Sequence, residues 1–262
     1  MPPVETADDV LRVAETVLQT IWQSSITPVA APGAATMAAA LVVAVLVVAA
    51  GPVWHWARHA VTIAHEGGHA TAALLTGRRL RGIRLHSDTS GVTTSSGRTT
   101  GFGFVLTAFS GYPAPALVGL GCAWLVGRGY ATAALWVLVG LLLLTLTRVR
   151  NLFGVWSVVV TAAVVAGVSW WAPATLRSAI AHAVAWFLFA GAVRPILELQ
   201  RLRSRRRAPH SDADQLQAAT GLPGLFWIVV WLVLSVGAAW LGTAWMLEPA
   251  GGLATLLSIA GA

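Results

Sequence analysis

Five consecutive residues, His65-Glu66-Gly67-Gly68-His69, have the types and the spacing of a catalytic metal site. Residues four positions apart lie on one face of an α-helix, so the imidazoles of His65 and His69 can bind a single ion. Glu66 stands next to the first histidine and can serve as general base toward a water at the open coordination position. The pattern therefore predicts a Zn²⁺ site with a catalytic carboxylate beside it.

The surroundings of this motif strengthen the prediction, because it lies in an apolar stretch of the chain. Glu66 is the only acidic residue near the middle of a predicted membrane span, where each acid costs about 2.5–3.5 kcal/mol on insertion scales. The two glycines each lower helix stability by roughly 1 kcal/mol relative to alanine. A polar patch that merely joins helices rarely needs three ionisable groups at metal-binding spacing, so metal binding is the favoured interpretation.

Other histidines are weaker candidates for metal binding. His55 and His59 also stand four residues apart, but no carboxylate lies between them, and they fall where the chain is expected to meet the outer membrane interface. His182 stands alone in an apolar run and is expected to be a hydrogen-bonded core residue. We therefore place the metal at the first pair.

The composition indicates that the elements holding this motif lie in a membrane. Of 262 residues, 56% are hydrophobic and only 10% are charged, against roughly 25% charged in a typical soluble domain. Apolar runs long enough to cross a bilayer predict an all-α polytopic membrane protein with about seven transmembrane helices. Their approximate ranges are 34–54, 56–76, 103–126, 130–148, 152–172, 176–197 and 223–246.

The seventeen basic residues, all of them arginines, predict how these helices are oriented. With the N-terminus in the cytoplasm, fourteen arginines fall in cytoplasmic segments and only Arg58, Arg128 and Arg177 in outer ones. Their clustering in short loops indicates membrane topology and contact with anionic lipid rather than nucleic-acid binding. The absence of lysine and the abundance of alanine, valine, glycine and arginine are typical of a GC-rich bacterium, so we expect a multi-pass protein of the bacterial cell membrane.

Polar stretches divide the chain into three predicted parts. Residues 1–32 form an amphipathic cytoplasmic segment, residues 33–248 a membrane-embedded domain, and residues 249–262 a C-terminal tail. Within the membrane domain, residues 80–101 are too polar to span and contain turn-forming residues, which predicts a short β-hairpin on the cytoplasmic side. A cytoplasmic loop at 198–222 carries a run of arginines, then acidic residues and a short helix.

The histidine motif in a transmembrane helix, followed by a glycine-containing hairpin, resembles the site-2 protease class of intramembrane zinc metallopeptidases. Residues 110–115 are similar to the stretch of small residues and prolines that follows in that class, and residues 150–154 to a shortened form of its later Asn…Asp-Gly motif. The resemblance covers roughly residues 40–235 and is nearest to a bacterial branch of peptidase-like membrane proteins. It implies the two histidines as zinc ligands and the glutamate as catalytic base.

The third zinc ligand stays open at this point. Members of the class use an aspartate just before a glycine, but Phe153 occupies that position here. Asn151 is a neutral amide and a weaker partner for zinc than a carboxylate. Asp212 and Asp214 lie in the cytoplasmic loop and can fold back toward the site, although Ser211 with Asp214 also has the spacing of a helix-capping box.

The resemblance implies a membrane-embedded zinc metallopeptidase that hydrolyses peptide bonds of membrane-protein or peptide substrates. An unwound substrate strand is expected to pair with the edge of the hairpin at Gly91 and Val92. Pro113 and Pro115 should interrupt the third span and open a route for water or substrate. Two other functions stay open: a catalytically silent scaffold, which the missing Asp-Gly favours, and a transporter or proton relay that uses Glu66 without zinc.

Overall fold

Helices make up most of the part of the chain that the computed structural model describes, residues 7–208 and 210–248, and one small sheet accompanies them. The predicted tail at 249–262 lies outside the described residues. The helices are α1 (Ala7–Ile26), α2 (Ala34–Ala49), α3 (Gly51–Leu75), α4 (Phe102–Phe109), α5 (Ala114–Gly127), α6 (Ala131–Leu146), α7 (Leu152–Trp171), α8 (Ala174–Ser204), α9 (Asp212–Thr220) and α10 (Gly224–Leu247). The strands β1 (Arg79–Leu85) and β2 (Gly91–Ser96) stand between α3 and α4 in the chain.

Long apolar helices support a multi-pass membrane protein, but the seven predicted spans are not confirmed. Among the described helices, α7, α8 and α10 are each long and apolar enough to cross a bilayer. Two bent pairs, α2 with α3 at 99° and α4 with α5 at 69°, raise the number to five when each pair is one span. Helix α6 is apolar but has 16 residues, a length of about 24 Å against a hydrocarbon core of about 30 Å.

Two of the seven predicted spans are not separate candidates among the described helices, because α2 and α3 form one bent pair and α6 is short. Helix α3 begins at Gly51 with Pro52 in its first turn, where the fixed φ of proline suits the start of a new helix. Pro113 precedes the first residue of α5 after α4 has ended at Phe109, so the predicted interruption of the third span by prolines is confirmed. Hydropathy depends only on the composition of the chain. A bend between two helices within an apolar run therefore cannot be recognised from hydropathy.

The segment before α2 does not lie at the end of the bundle where the predicted orientation puts it. The N–H of Val29 donates to Gly129 O at 2.8 Å, and Ser178 Oγ lies 3.4 Å from Ala30 O. The seven-span prediction assigns Gly129 to an outer connection and Ser178 to the outer end of its sixth span, whereas it assigns residues 27–32 to the cytoplasm. Helix α1, which the predicted amphipathic segment forms, packs against α6.

An ion pair gives the reason for this difference. Arg58, assigned to the outer side, lies 2.7 Å from the carboxylate of Glu198, which the prediction assigns to the cytoplasmic side. The beginning of α3 is therefore level with the end of α8. Helices α2 and α3 meet at an angle of 99°, so they do not run as the two antiparallel crossings that the seven-span prediction requires.

Helix α8 lies at the centre of the bundle and packs against α2, α5, α6 and α10. Small residues permit this packing: a Cβ at Gly191 would lie 2.7 Å from Val61, and one at Gly242 would overlap the ring of Phe189. Glycine at such contacts lets membrane helices approach closely and gain van der Waals contact. Helix α8 continues beyond this core to Ser204, which brings its last turn to α9.

The predicted hairpin is present and lies against α3. Strands β1 and β2 pair antiparallel. The other edge of β1 meets the connection between α6 and α7, where the N–H of Ile83 donates to Arg148 O and the N–H of Arg150 donates to Ile83 O, both at 2.9 Å. Strand β1 is thus paired on both sides, whereas the outer edge of β2 has no strand partner among the described residues.

Candidate metal centre and catalytic cleft

Helix α3 presents both histidines of the motif to one point. Nε2 of His65 and Nε2 of His69 lie 3.0 Å apart, and Oδ2 of Asp212 lies 3.4 Å from each of them. A tetrahedral site with metal–ligand bonds of about 2.0–2.1 Å has ligand atoms about 3.3 Å apart. The three donor atoms therefore have the spacing of three corners of such a site, and the described residues contain no other group of three donors this close together.

Asp212 reaches the histidines from α9, of which it is the first residue. Ser211 before it forms a capping box with Asp214, whose Oδ2 accepts the N–H of Ser211 at 3.1 Å. Ala213 and Leu216 are fully buried among apolar residues of α4, α8 and α10, which holds the short helix in place. Of the sequence candidates for the third ligand, Asp212 is the one that meets both histidines.

The other two candidates point elsewhere. Asp214 forms an ion pair with Arg203 of α8. Asn151 lies beside the end of β1, where its Oδ1 accepts the N–H of Leu85 at 3.1 Å and its Nδ2 donates to Leu85 O at 2.6 Å. Gly154 leaves room for this side chain, since a Cβ there would lie 2.7 Å from Asn151 Oδ1. The shortened Asn…Gly motif thus anchors the hairpin, and its amide is occupied away from the histidines.

The groups around the histidines prepare them for a metal. Nδ1 of His69 lies 2.6 Å from Thr107 O, so a neutral ring carries its proton on Nδ1 and keeps a lone pair on Nε2. The ring of Tyr112 meets that of His65 edge to face, with 4.7 Å between centroids. Gly111 packs on both imidazoles, and a Cβ there would lie 2.7 Å from His65 Cε1. The connection between α4 and α5 therefore encloses the face of α3 that carries the two histidines.

Gly68, inside the motif, permits this enclosure. A Cβ at Gly68 would lie 2.5 Å from Ser110 O and 2.5 Å from the Cβ of Ala114, so a larger residue would push the connection away from α3. The hydroxyl of Ser110 also donates to Gly68 O at 3.0 Å. The second glycine of the motif is thus explained by close backbone packing.

Glu66 faces the hairpin and is 3% exposed. Its Oε2 accepts a hydrogen bond from Thr93 Oγ1 at 2.6 Å, and its Oε1 accepts none from the described residues. Gly91 packs against the same carboxylate, since a Cβ there would lie 2.6 Å from Oε1. The turn between β1 and β2 is held by Thr62 of α3, whose hydroxyl donates to Thr89 O at 2.9 Å. One carboxylate oxygen is therefore held in place, and the other is free to accept a proton.

A cleft of about 650 Å³ runs along these groups. It is lined by the three donor residues, by Glu66 and by the residues of β2 from Gly91 to Ser95. Val92, which the sequence predicts to contact substrate together with Gly91, is half-exposed on this wall. The free edge of β2, the carboxylate and the candidate metal ligands therefore share one opening.

The charge state of Asp212 suits a metal ligand. Burial by itself raises the pKa of a carboxyl, but the adjacent imidazoles of His69 and His65 outweigh burial and hold the pKa of Asp212 below its usual range. Asp212 is therefore ionised, and a carboxylate must be ionised to bind a cation.

The weaker histidine candidates are not gathered around a common point. The ring centroids of His55 and His59 lie 6.2 Å apart, and the second ring packs against Phe153. His182 is buried, and its Nδ1 lies 2.8 Å from Ser178 O, as expected for a hydrogen-bonded core residue.

Sequence reasoning missed three groups that shape this site: the Thr93 hydroxyl, the Thr107 carbonyl and the Gly111 backbone. The first had a usable signal. Residues of a strand alternate between its faces, so the assignment of Gly91 to the cleft also places Thr93 there. The other two depend on how the turn after α4 folds over α3, and no local pattern reports that.

Comparison with known proteins adds a family to this geometry. No curated protein and no solved structure gives a significant match to the chain. The family model described as Peptidase M50B-like matches residues 38–242, which include Glu66, the three donor residues and the hairpin. This is the site-2 protease family, whose members are zinc metallopeptidases. Since the match covers most of its length, the chain belongs to the peptidase M50B-like family.

Proposed function

We propose that this protein is a membrane-embedded zinc metallopeptidase that hydrolyses peptide bonds of membrane-protein or peptide substrates. The observation that carries the proposal is the convergence of His65, His69 and Asp212 at tetrahedral spacing, with Glu66 on the same helix. The family match independently favours a protease of the membrane. A transporter or proton relay gives no reason for three donors at metal spacing next to a cleft.

Each residue of the site has a role in this proposal. His65, His69 and Asp212 hold the ion, and two neutral imidazoles with one carboxylate are donors that zinc accepts. When bound there, zinc would lower the pKa of a coordinated water and polarise a peptide carbonyl. Glu66 takes a proton at its free Oε1 and later returns it to the leaving amine. Thr93 keeps the carboxylate oriented through its hydrogen bond to Oε2.

The free edge of β2 supports a strand-like mode of substrate binding. A peptide bond in a membrane helix is shielded by its own hydrogen bonds and must be unwound before attack. An unwound segment can recover those bonds by pairing with the free edge of β2 at Gly91 and Val92, which line the cleft. Pairing there would lay the segment beside Glu66, because Gly91 contacts that carboxylate.

The metal is tested by zinc analysis of the purified protein. We expect about one equivalent in the wild type and none in His65→Ala, because two remaining donors hold zinc poorly. His55→Ala is the matched control. It removes an imidazole from the same helix and from a histidine pair with the same four-residue spacing, but outside the cluster. Zinc that is absent from the wild type, or that survives His65→Ala, excludes this site.

We also propose an orientation that departs from the sequence prediction, with the hairpin and the arginine-rich end of α8 in the cytoplasm and α1 outside. The positive-inside rule supports the first part, and the contacts of Val29 and Ala30 with the opposite end support the second. Two single-cysteine variants in a Cys122→Ala background test this orientation. Val29→Cys should react with a membrane-impermeant maleimide in intact cells, and Arg205→Cys should react only after lysis. The opposite pattern would overturn this orientation.

A further inference from the structure

The side chain of Arg203 joins the end of α8 to the beginnings of α9 and α10. Its Nη1 donates to Ser211 Oγ at 2.9 Å and pairs with the carboxylate of Asp214. The guanidinium also lies against Gly224, the first residue of α10, where a Cβ would lie 2.8 Å from Cζ. With 17% of its side chain exposed, Arg203 is largely enclosed by these contacts. Its partners Ser211 and Asp214 are the two members of the capping box of α9.

This position is informative because Asp212 lies between the two capping residues. Whatever fixes Ser211 and Asp214 also fixes the direction in which Asp212 leaves the helix. The linker from α8 does not do so alone: Arg206 and His210 have φ of 54° and 63°, a conformation that non-glycine residues adopt at a cost. A contact that holds the linker closed is therefore needed.

The charge of Arg203 also needs an explanation. A cation is disfavoured at the N-terminus of a helix, and it repels a metal ion bound nearby. Its ion pair with Asp214 neutralises it and at the same time occupies the second carboxylate of α9. Asp214 is thereby held away from the position beside the histidines that Asp212 occupies.

We propose that Arg203 is a positioning residue for the third metal ligand: it clamps the capping box of α9 and so aims Asp212 at His65 and His69. The inference rests on the proposed zinc site and deepens it. Arg203 does not touch the metal, and its effect on zinc passes through Asp212.

The experiment measures the zinc dissociation constant of the detergent-solubilised full chain by competition with a chromophoric chelator. Arg203→Ala should weaken zinc binding by about 10–100-fold, the usual effect of losing a group that orients a ligand. Arg203→Lys should recover part of the affinity, because one ion pair to Asp214 is retained. Arg201→Ala is the matched control: it removes an exposed arginine from the same helix end whose side chain has no partner among the described residues, and it should bind zinc like the wild type.

A double-mutant cycle separates positioning from general destabilisation. In an Asp212→Asn background, which keeps a weak oxygen donor and leaves the zinc affinity measurable, Arg203→Ala should weaken zinc binding by much less than in the wild type, because the ligand that it positions contributes little. An equal loss in both backgrounds shows that Arg203 supports only the fold and overturns the proposal. Asp214→Asn breaks the ion pair from the other side and replaces Arg203→Ala if that variant does not fold; it should follow the same pattern.

The outcomes also distinguish this inference from the proposed function. A wild type that binds zinc together with an Arg203→Ala variant of unchanged affinity overturns the positioning role and leaves the zinc site intact. A wild type that binds no zinc overturns the zinc site, and the positioning role with it.

Discussion

Two flanks of helix α3 carry different parts of the candidate site. On one flank, the hairpin meets Glu66 through Thr93 and Gly91. On the other flank, α9 brings Asp212 to the two histidines. The hairpin is held by backbone pairing and by Asn151, whereas α9 is held by buried apolar residues and by Arg203.

In the proposed function, metal binding and proton transfer therefore depend on separate parts of the structure. A change on the hairpin side should lower the rate of cleavage and leave zinc in place. A change on the α9 side should lower zinc affinity first, and the rate only as a consequence.

Glu66→Gln should abolish nearly all cleavage while the protein keeps its zinc. The amide cannot accept a proton, and loss of a general base typically costs about 10²–10⁴-fold in rate. Cleavage of a reconstituted single-span peptide library and zinc content should be measured on the same preparations. Undiminished cleavage would exclude Glu66 as the base, and loss of zinc would show that the two functions are not separable.

Gly91→Ala should lower the rate by about 100-fold, the effect of moving a reacting group by about 1 Å. The added methyl would lie 2.6 Å from Cγ and Oε1 of Glu66, so the carboxylate must shift. Gly140→Ala is the control, because a methyl there meets open space. Zinc content should equal that of the wild type in both variants, and a Gly91→Ala enzyme of normal rate would contradict the packing of the hairpin on Glu66.

Thr93→Val should reduce the rate by about 10–100-fold, since a hydrogen bond to a charged group contributes roughly 1.5–3 kcal/mol. Valine keeps the shape and removes the donor to Glu66 Oε2. Thr175→Val, which changes an exposed threonine at the beginning of α8 away from the cleft, should be close to the wild type. Equal rates of cleavage in the two variants would show that the Thr93 hydroxyl has no role in orienting Glu66.

Asn151→Asp should leave zinc affinity unchanged and lower the thermal stability of the protein. The carboxylate cannot donate to Leu85 O, so one backbone anchor of the hairpin is lost, at a cost of about 1–3 kcal/mol for the unpaired carbonyl. A metal ligand at this position would behave oppositely, because a carboxylate binds zinc better than an amide. A lower zinc dissociation constant in Asn151→Asp would therefore indicate that position 151, on the hairpin flank, supplies the third ligand.

The hairpin and the histidine pair could be predicted because their signals are local. Residues four apart share a helix face whatever surrounds the helix, so His65 and His69 follow from spacing alone. A polar segment with turn residues between apolar runs similarly indicates a hairpin. The sequence predicted that Gly91 lies at the substrate-binding edge of the hairpin. Its contact with Glu66 could not be predicted, because it depends on how the hairpin packs against α3.

Tertiary packing alone decided which of the candidate oxygens lies beside the two histidines. Asn151, Asp212 and Asp214 were all available in the sequence, and the last two differ by two residues on one short helix. Their separation depends on the docking of α9 onto α4, α8 and α10 and on the ion pair with Arg203, both of which join residues far apart in the chain. The bend between α2 and α3 was likewise visible only in the tertiary structure, because it changes the path of the chain without changing its hydropathy.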